Sequence, residues 1–284
     1  MTNLSFLSWN IEHFNGKGGL DKRNKPKRQQ RVEEVITSIL SHSPDIFALY
    51  EVEGSIVHSS LMSRMSDYSF HITEGNQTQE ILVGIRKNIQ YFFSQKKTFK
   101  RSNPYLRPGA LLTVTVNDNH YPILFLHLKS MPSPEGFGLR DAMFTKAFDL
   151  KKALDKTSKS ANKGPSNYII MGDLNTMGMD YAKRDKDIPS QREIKVITDR
   201  FSRRGMKKLS QSHPFTFNNG SQSSYPQTNL DHVFAAKHLE FESQTSGHDI
   251  RVAGWAEFDN VDDQDSWIEQ YSDHAPLLFS LKIN

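Results

Sequence analysis

The stretch that decides the fold is Tyr168-Ile-Ile-Met-Gly-Asp-Leu-Asn175. Its apolar residues predict a buried strand, which Gly172 ends because glycine adopts backbone conformations closed to other residues. Asp173 and Asn175 lie two positions apart, so their side chains point the same way in an extended segment. A carboxylate beside an amide suits work on a phosphate or a bound metal. By itself a Gly-Asp pair after a strand is more often a turn, so the interpretation depends on whether the arrangement recurs.

The arrangement does recur along the chain. Four predicted apolar strands each end at or beside a residue that can contact a metal or a phosphate: Asn10, Glu51, His127 and Asp173. Two more strands begin with the pairs Asp231-His232 and Asp273-His274. If these two run antiparallel to the first four, all these residues lie at one edge, where α/β scaffolds carry their active sites. Taken singly, each residue would more often be a turn or capping residue.

Amphipathic patterns place helices between the strands. Apolar residues with the spacing of one helix face predict a helix over 29–41, followed by a turn at Pro44 and a buried strand over 46–50. Similar patterns predict helices over 139–157, with Lys151 among the lysines of its wet face, and over 191–204. Helices alternating with strands and hairpins indicate an α/β or α+β protein. The stretch 257–269 has no apolar period and is predicted to be an acidic loop.

Length and composition restrict the class of protein. A chain of 284 residues without a linker, low-complexity tract or repeat is expected to form one domain over 1–284. The absence of cysteine excludes disulfides, thiolate metal sites and a cysteine nucleophile. Since no signal peptide and no apolar run of about 18 residues is visible, we expect a cytoplasmic protein that does not enter a membrane. A monomer is assumed.

The charge balance is mildly basic. The net charge of +4 and the pI of about 9.0 are compatible with a polyanionic partner. Six basic residues lie within 22–31, and further clusters lie at 95–101 and 200–208. The first cluster is either a solvated loop or a loop that contacts phosphates, and the sequence leaves both open.

Six segments together resemble the endonuclease/exonuclease/phosphatase superfamily, which includes pancreatic-type deoxyribonucleases and exonuclease III-like enzymes. They are Ser8-Trp-Asn-Ile11, Leu49-Tyr-Glu-Val-Glu53, Leu126-His-Leu-Lys-Ser130, Gly172-Asp-Leu-Asn175, Leu230-Asp-His-Val233 and Ser272-Asp-His-Ala-Pro276. They occur in the order of the superfamily's motifs. The resemblance implies a four-layer sandwich, with two packed mixed β-sheets flanked by helices, and metal-dependent hydrolysis of phosphoesters.

The resemblance also implies a role for each position. Glu51 would bind a divalent ion with Asn10 and Asp273 nearby, and oxygen ligands of this kind suit Mg²⁺ or Mn²⁺ rather than zinc. His274 would be the general base, oriented by Asp231. At the phosphate, the resemblance implies Asn175 and His127 as hydrogen-bond donors and Asp173 at the leaving group or the water. Arg107 resembles an arginine of many bacterial members and either clamps a phosphate of the substrate or pairs with a surface carboxylate, and Arg140 and Lys129 are substrate-ligand candidates with the same two alternatives.

Three functions are compatible with these residues. The first is a nuclease, acting on DNA rather than RNA. The second is a phosphatase or phosphodiesterase for a lipid head group or another small phosphate ester, which the acidic stretch before the catalytic histidine favours. The third, a binding module without activity, ranks last because every expected active-site position holds a competent residue.

Overall fold

The computed structural model describes residues 2–53, 55–75, 79–100, 103, 105–182, 186–244 and 247–283. The chain divides into two compact units. The first unit comprises Met1–Ile89, Ser210–Thr228 and Phe241–Asn284, and the second comprises Gln90–Leu209 and Asn229–Glu240. The expectation of one domain over 1–284 stays a prediction.

The first unit contains a six-stranded mixed sheet. Its strands are β1 (Asn3–Phe14), β2 (Ile46–Val52), β3 (Tyr68–Ile72), β4 (Glu80–Arg86), β11 (Arg251–Val252) and β12 (Leu277–Lys282), in the order β11-β12-β1-β2-β4-β3. Strands β1 and β2 are parallel, whereas β12 runs antiparallel to β1. The helices of this unit are α1 (Lys25–His42), α2 (Ser55–Arg64) and α5 (Val261–Gln270).

The second unit contains another six-stranded mixed sheet. Its strands are β5 (Gln90–Lys96), β6 (Gly109–Val116), β7 (Asn119–His127), β8 (Ile169–Asp173), β9 (Met206–Lys208) and β10 (Asp231–Ala236), in the order β5-β6-β7-β8-β10-β9. Strands β7 and β8 are parallel, and β10 runs antiparallel to β8. The helices are α3 (Pro134–Ser160) and α4 (Ser190–Ser202). The predicted class, with helices flanking two mixed sheets, is confirmed.

Each unit packs its helices on one face of its own sheet. In the first unit, the apolar stripe of α1, including Val35 and Ile39, shares a core with Leu7, Trp9 and Ile11 of β1. These three residues share one face of the strand because side chains alternate along it. In the second unit, α3 and α4 bury a corresponding stripe against β7, β8 and β10. The helices therefore hold the strand ends that carry the polar residues.

Two helices begin earlier than the sequence patterns predict. Helix α1 begins at Lys25 because the Asn24 side chain accepts a hydrogen bond from the Lys27 amide and Pro26 fits the first turn. Helix α3 begins at Pro134, where the Ser133 side chain caps the Gly136 amide. Much of the basic cluster at 22–31 is therefore helical, and Arg101 of the 95–101 cluster lies outside the described residues.

Two predictions from the sequence are wrong, the loop over 257–269 and the exposed position of Lys151. The acidic stretch 257–269 is largely helix α5. Asn260 caps this helix, and the negative charges of Asp262 and Asp263 in its first turn interact favourably with the helix dipole. Lys151, expected on the wet face of α3, is buried and bonds Asp155 and Ser166. No helix within the described ranges is long and apolar enough to span a membrane.

Candidate functional site

The first unit gathers polar side chains where the regular pairing of β1 and β2 is interrupted, after Asn10 and Tyr50. Asn10 lies beside Tyr50 in the parallel register, so Glu51 follows at the same end of the sheet. Glu51 has a left-handed backbone with φ of 62°, which turns its carboxylate towards β1. Its Oε1 lies 3.3 Å from Asn10 Nδ2, and its Oε2 accepts from the His13 amide at 3.0 Å.

Two contacts of Glu51 were not predicted from sequence. Gln79 Nε2 lies 2.8 Å from Glu51 Oε2 and 2.8 Å from His13 Nδ1. His13 Nδ1 is in turn 3.2 Å from Glu51 Oε2, although the sequence indicates no partner for this histidine. Neither Gln79 nor His13 belongs to a recognisable motif. Gln79 comes from a distant segment of the sequence, and only the fold brings it to Glu51.

The Asp273-His274 pair and the preceding Ser272 are bonded to Trp9 and Asn10 of β1. Ser272 Oγ donates to the Asn10 carbonyl at 2.7 Å, and Trp9 Nε1 donates to the His274 carbonyl at 2.8 Å. The His274 ring meets the Phe217 ring edge-on at a centroid distance of 5.2 Å. The antiparallel pairing of β12 with β1, expected from sequence, thus brings this pair to the end of the sheet that carries Asn10.

Carboxylates crowd this end of the first unit. Although 15% of its side chain is exposed, burial raises the pKa of Asp273 to about 7. The nearby His274 opposes this increase in pKa, whereas Glu12 and Glu51 add to it. Closely spaced carboxylates that repel one another fit a divalent cation. Asn10 turns Nδ2 towards Glu51 while its Oδ1 accepts from the Glu12 amide at 3.0 Å, so its oxygen would reach a metal at Glu51 only after the side chain turns. The residues present therefore fit the metal that the sequence predicts at Glu51, Asn10 and Asp273.

The second unit aligns three of the predicted residues across adjacent strands. His127 pairs with Asp173 in the parallel register of β7 and β8, and Asp231 pairs with Asp173 in the antiparallel register of β8 and β10. His127 Nε2 is 3.6 Å from Asp173 Oδ2. The carboxylates of Asp173 and Asp231 approach within 4.8 Å. All three residues are buried.

Asn175 folds back onto Asp173. Its backbone is left-handed, with φ of 48°, so the segment is not extended as the sequence predicts. Both side chains nevertheless meet, because Asp173 Oδ1 accepts from the Asn175 amide at 2.9 Å and Oδ2 accepts from Asn175 Nδ2 at 3.0 Å. The same Nδ2 donates to the Leu128 carbonyl at 3.1 Å, which links the segments that follow β7 and β8.

His232 contacts different residues from those that its neighbour Asp231 contacts. Its Nε2 lies 2.8 Å from Thr176 Oγ1, which also donates to the Asn229 carbonyl. Burial lowers the pKa of His232 well below its ordinary value, and the charge of Lys208 acts in the same direction. This imidazole is therefore neutral, and through Thr176 it stabilises the turn at residues 174–176.

The three predicted substrate ligands differ in placement. Arg107 is half-buried, with Nη1 3.5 Å from the His127 carbonyl, and Lys129 is half-buried in the segment after His127. Arg140 is fully buried on α3 and uses all five of its N–H donors within the protein. Arg140 therefore has no N–H donor left for a substrate, and we do not propose it as a substrate ligand.

Comparisons with known proteins agree with this arrangement. The family model described as Endonuclease/Exonuclease/phosphatase family matches residues 7–274. Similar solved structures include truncated Caenorhabditis elegans TDP2, with 17% identity, 99% of this chain and 98% of that chain covered, and a TM-score of 0.64. D. rerio TDP2 complexed with a single-strand DNA product shares 15% identity over 100% of both chains, with a TM-score of 0.65.

A bacterial structure is equally similar. The endonuclease/exonuclease/phosphatase from Bacteroides vulgatus shares 15% identity over 100% of both chains, with a TM-score of 0.64. At these identities the structural likeness shows the fold alone. No curated protein matches the sequence. Because the family model extends over nearly its whole length, the chain belongs to the endonuclease/exonuclease/phosphatase family.

Proposed function

We propose that this protein is a divalent-metal-dependent phosphodiester hydrolase whose substrate is DNA. The observation that carries the proposal is the register of the strands. In each unit a parallel pair of strands carries the residues predicted to be functional. Asn10 and Glu51 lie where the regular pairing of β1 and β2 is interrupted, and His127 and Asp173 are the last residues of β7 and β8. An acidic residue then lies at or before the start of the neighbouring antiparallel strand: Asp273 precedes β12 in the first unit, and Asp231 begins β10 in the second.

Glu51, with Asn10 and Asp273, would hold the metal ion, for which we expect Mg²⁺ or Mn²⁺. When bound, such an ion offsets the negative charge that builds on the phosphate. Gln79 and the His13 amide hold the Glu51 carboxylate in place through hydrogen bonds. Their contribution is to fix the orientation of the ligand before the ion arrives.

We assign the general base to His274, which would take a proton from the attacking water, and assign its orientation to Asp231. The backbone bonds of His274 to Trp9 and Ser272 and its contact with Phe217 restrict the ring. A histidine suits this step because its ordinary pKa lies near neutrality.

Asn175 and His127 would donate hydrogen bonds to the non-bridging oxygens of the phosphate. Asn175 Nδ2 already donates to Asp173 and Leu128. Binding of substrate would therefore exchange the bond to Asp173 for one to the phosphate, which leaves the Asp173 carboxylate available to the water or the leaving group. Arg107 and Lys129 would contact neighbouring phosphates, as the charge of both side chains allows.

The choice of DNA rests on the basic balance of the chain and on its likeness to D. rerio TDP2, a protein crystallised with a single-strand DNA product. The alternative is a small phosphate ester. It is favoured by the acidic helix α5, whose first turn places Asp262 and Asp263 in the unit that carries Glu51.

A substrate panel tests the proposal. We expect the protein to cleave DNA when Mg²⁺ or Mn²⁺ is present, to lose this activity with a chelator, and to lose it in Glu51→Gln. His120→Ala, which changes an exposed histidine in the β6–β7 hairpin, is the matched control and should retain activity. Hydrolysis of small phosphate esters without cleavage of DNA would favour the alternative, and hydrolysis of neither would contradict the proposal.

A further inference from the structure

Two buried arginines lie on the helices that pack against the two sheets. Arg31 on α1 is 2% exposed and Arg140 on α3 is 0% exposed. Each forms an ion pair with one acidic residue, Asp21 for Arg31 and Glu193 for Arg140. Most of their remaining donors bond backbone carbonyls, and those carbonyls belong to the segments that carry the proposed active-site residues.

In the second unit, Arg140 joins the segments that follow β7 and β8. Its Nη1 donates to the Met131 carbonyl at 2.9 Å and to the Lys129 carbonyl at 3.3 Å, just after His127. Its Nη2 donates to the Gly178 carbonyl at 2.6 Å, just after Asn175. Both segments are therefore tied to a single side chain.

Glu193 on α4 closes this arrangement. Its Oε1 accepts from Arg140 Nε at 2.8 Å, and its Oε2 accepts from Arg140 Nη2 at 3.0 Å and from the Gly178 amide at 2.7 Å. Gly178 thus has both its amide and its carbonyl held by the same ion pair. Its φ of 80°, together with the close approach of the Ile188 carbonyl, leaves no room for a Cβ.

In the first unit, Arg31 does the same for the last part of β1 and the segment before β12. Its Nη2 donates to the carbonyls of Ile11 and Glu12, which follow Asn10. Its Nε donates to the Tyr271 carbonyl at 2.7 Å, two residues before Asp273. The Asp21 carboxylate accepts from Nη1 at 3.0 Å and neutralises the buried charge.

A buried ion pair gains little net stability, because the cost of removing two charges from water offsets their attraction. A guanidinium has five N–H donors in a fixed plane, so it can hold several backbone segments at once, which an ammonium group cannot do. Resting on the proposed function, we infer that Arg31 and Arg140 are positioning residues: each sets the spacing of two catalytic segments in its own unit through backbone carbonyls.

Arg140→Lys and Glu193→Gln test this inference in the second unit. Lysine keeps the positive charge but cannot reach Glu193 and three carbonyls together, and glutamine keeps the shape of Glu193 without its charge. The matched control is Lys151→Met, since Lys151 is also a buried cation on α3 but bonds Asp155 and Ser166.

We expect kcat to fall about 10²-fold in Arg140→Lys while KM changes little, because small displacements of catalytic groups act on the transition state. Backbone hydrogen exchange should become faster at residues 128–131 and 174–179. Lys151→Met should lose stability without either change. Glu193→Gln should show the same pattern as Arg140→Lys with a smaller effect, and it keeps the test decisive if Arg140→Lys does not fold.

Arg31→Lys makes the parallel test in the first unit, with faster exchange expected at residues 10–13 and 272–274. Arg86→Lys is its control, because Arg86 bonds Ser43 and pairs with Asp45, at the start of β2. The inference is overturned if exchange and kcat change no more in the test variants than in the controls. If the wild-type protein hydrolyses no phosphoester, the proposed function fails, whereas hydrogen exchange alone still decides whether these arginines position the segments.

Discussion

At the scale of single residues, Asn175 shows how one backbone angle organises a site. The left-handed conformation at this position turns the chain so that the amide and the side chain both bond the Asp173 carboxylate. The sequence predicts that these two side chains lie together, but for the wrong local reason, since the segment turns rather than extends. Asparagine tolerates this backbone better than most residues do, which explains why an asparagine suits the position.

Replacing Asn175 with alanine removes the proposed donor to the phosphate. We expect Asn175→Ala to lower kcat by about 10²- to 10³-fold, as loss of one such donor does in other hydrolases. The free energy of unfolding should fall by about 1 kcal/mol because the bonds to Asp173 and Leu128 are lost. Steady-state kinetics and urea denaturation measure the two effects, and unchanged kcat would remove Asn175 from the proposed mechanism.

His232 predicts a pH dependence of stability. Because burial holds its pKa well below the ordinary value in the folded state, the unfolded chain binds a proton that the folded chain does not. Stability should therefore be complete above about pH 6.5 and fall below it, with a limiting slope of about 1.4 kcal/mol per pH unit.

His232→Gln cannot titrate, so its urea midpoint should depend less on pH between 5 and 7.5 than that of the wild-type protein. Other partly buried histidines, such as His71, contribute equally to both proteins and cancel in the comparison. An identical pH dependence in the two proteins would show that the pKa of His232 is not lowered in the folded state.

At the scale of elements, most of the strands could be predicted because burial and residue type are local signals, but β1 continues to Phe14, beyond the predicted end at Asn10. The start of α5 also carried a readable signal, Asn260 followed by acidic residues, which the low apolar content of the stretch obscured. The contacts of Arg31 could not be predicted, because Tyr271 is 240 residues away and no local pattern marks a backbone acceptor. Gln79 escaped prediction for the same reason.

The N-terminal cap of α3 is expected to contribute to the stability of the protein. Ser133 caps α3 at the segment that leads from His127, so Ser133→Ala should lower the free energy of unfolding by about 1 kcal/mol. Ser133→Gly should cost only a few tenths of a kcal/mol, because glycine is tolerated at this position. Urea denaturation distinguishes the two, and equal losses would show that the side-chain hydrogen bond is not the source of the effect.

At the scale of the whole molecule, the two units repeat one plan. Each places a parallel pair of strands inside a six-stranded mixed sheet, carries functional residues in the later part of that pair and bonds two nearby backbone segments to a buried arginine. The predicted cytoplasmic location and monomeric state remain predictions. The identity of the substrate depends on surfaces that no short motif specifies.

The crowded carboxylates of the first unit predict that a divalent ion stabilises the protein. With Mg²⁺ at about 100 times its dissociation constant, the gain is about 2.7 kcal/mol, and it should appear as a higher Tm. Glu51→Gln should lose this response, and its Tm without metal should equal or exceed that of the wild-type protein because one repelling charge is removed. A response to Mg²⁺ that persists in Glu51→Gln would place the ion elsewhere.

We propose that His274 activates water for cleavage of a phosphodiester in DNA. The most direct measurement is the rate at which closed circular DNA is nicked with Mg²⁺ by the wild-type protein and by His274→Ala, each with and without chelator. We predict nicking by the wild-type protein that the chelator abolishes, and a loss of at least about 10²-fold in the folded variant. Nicking by His274→Ala at the wild-type rate would show that His274 is not the general base.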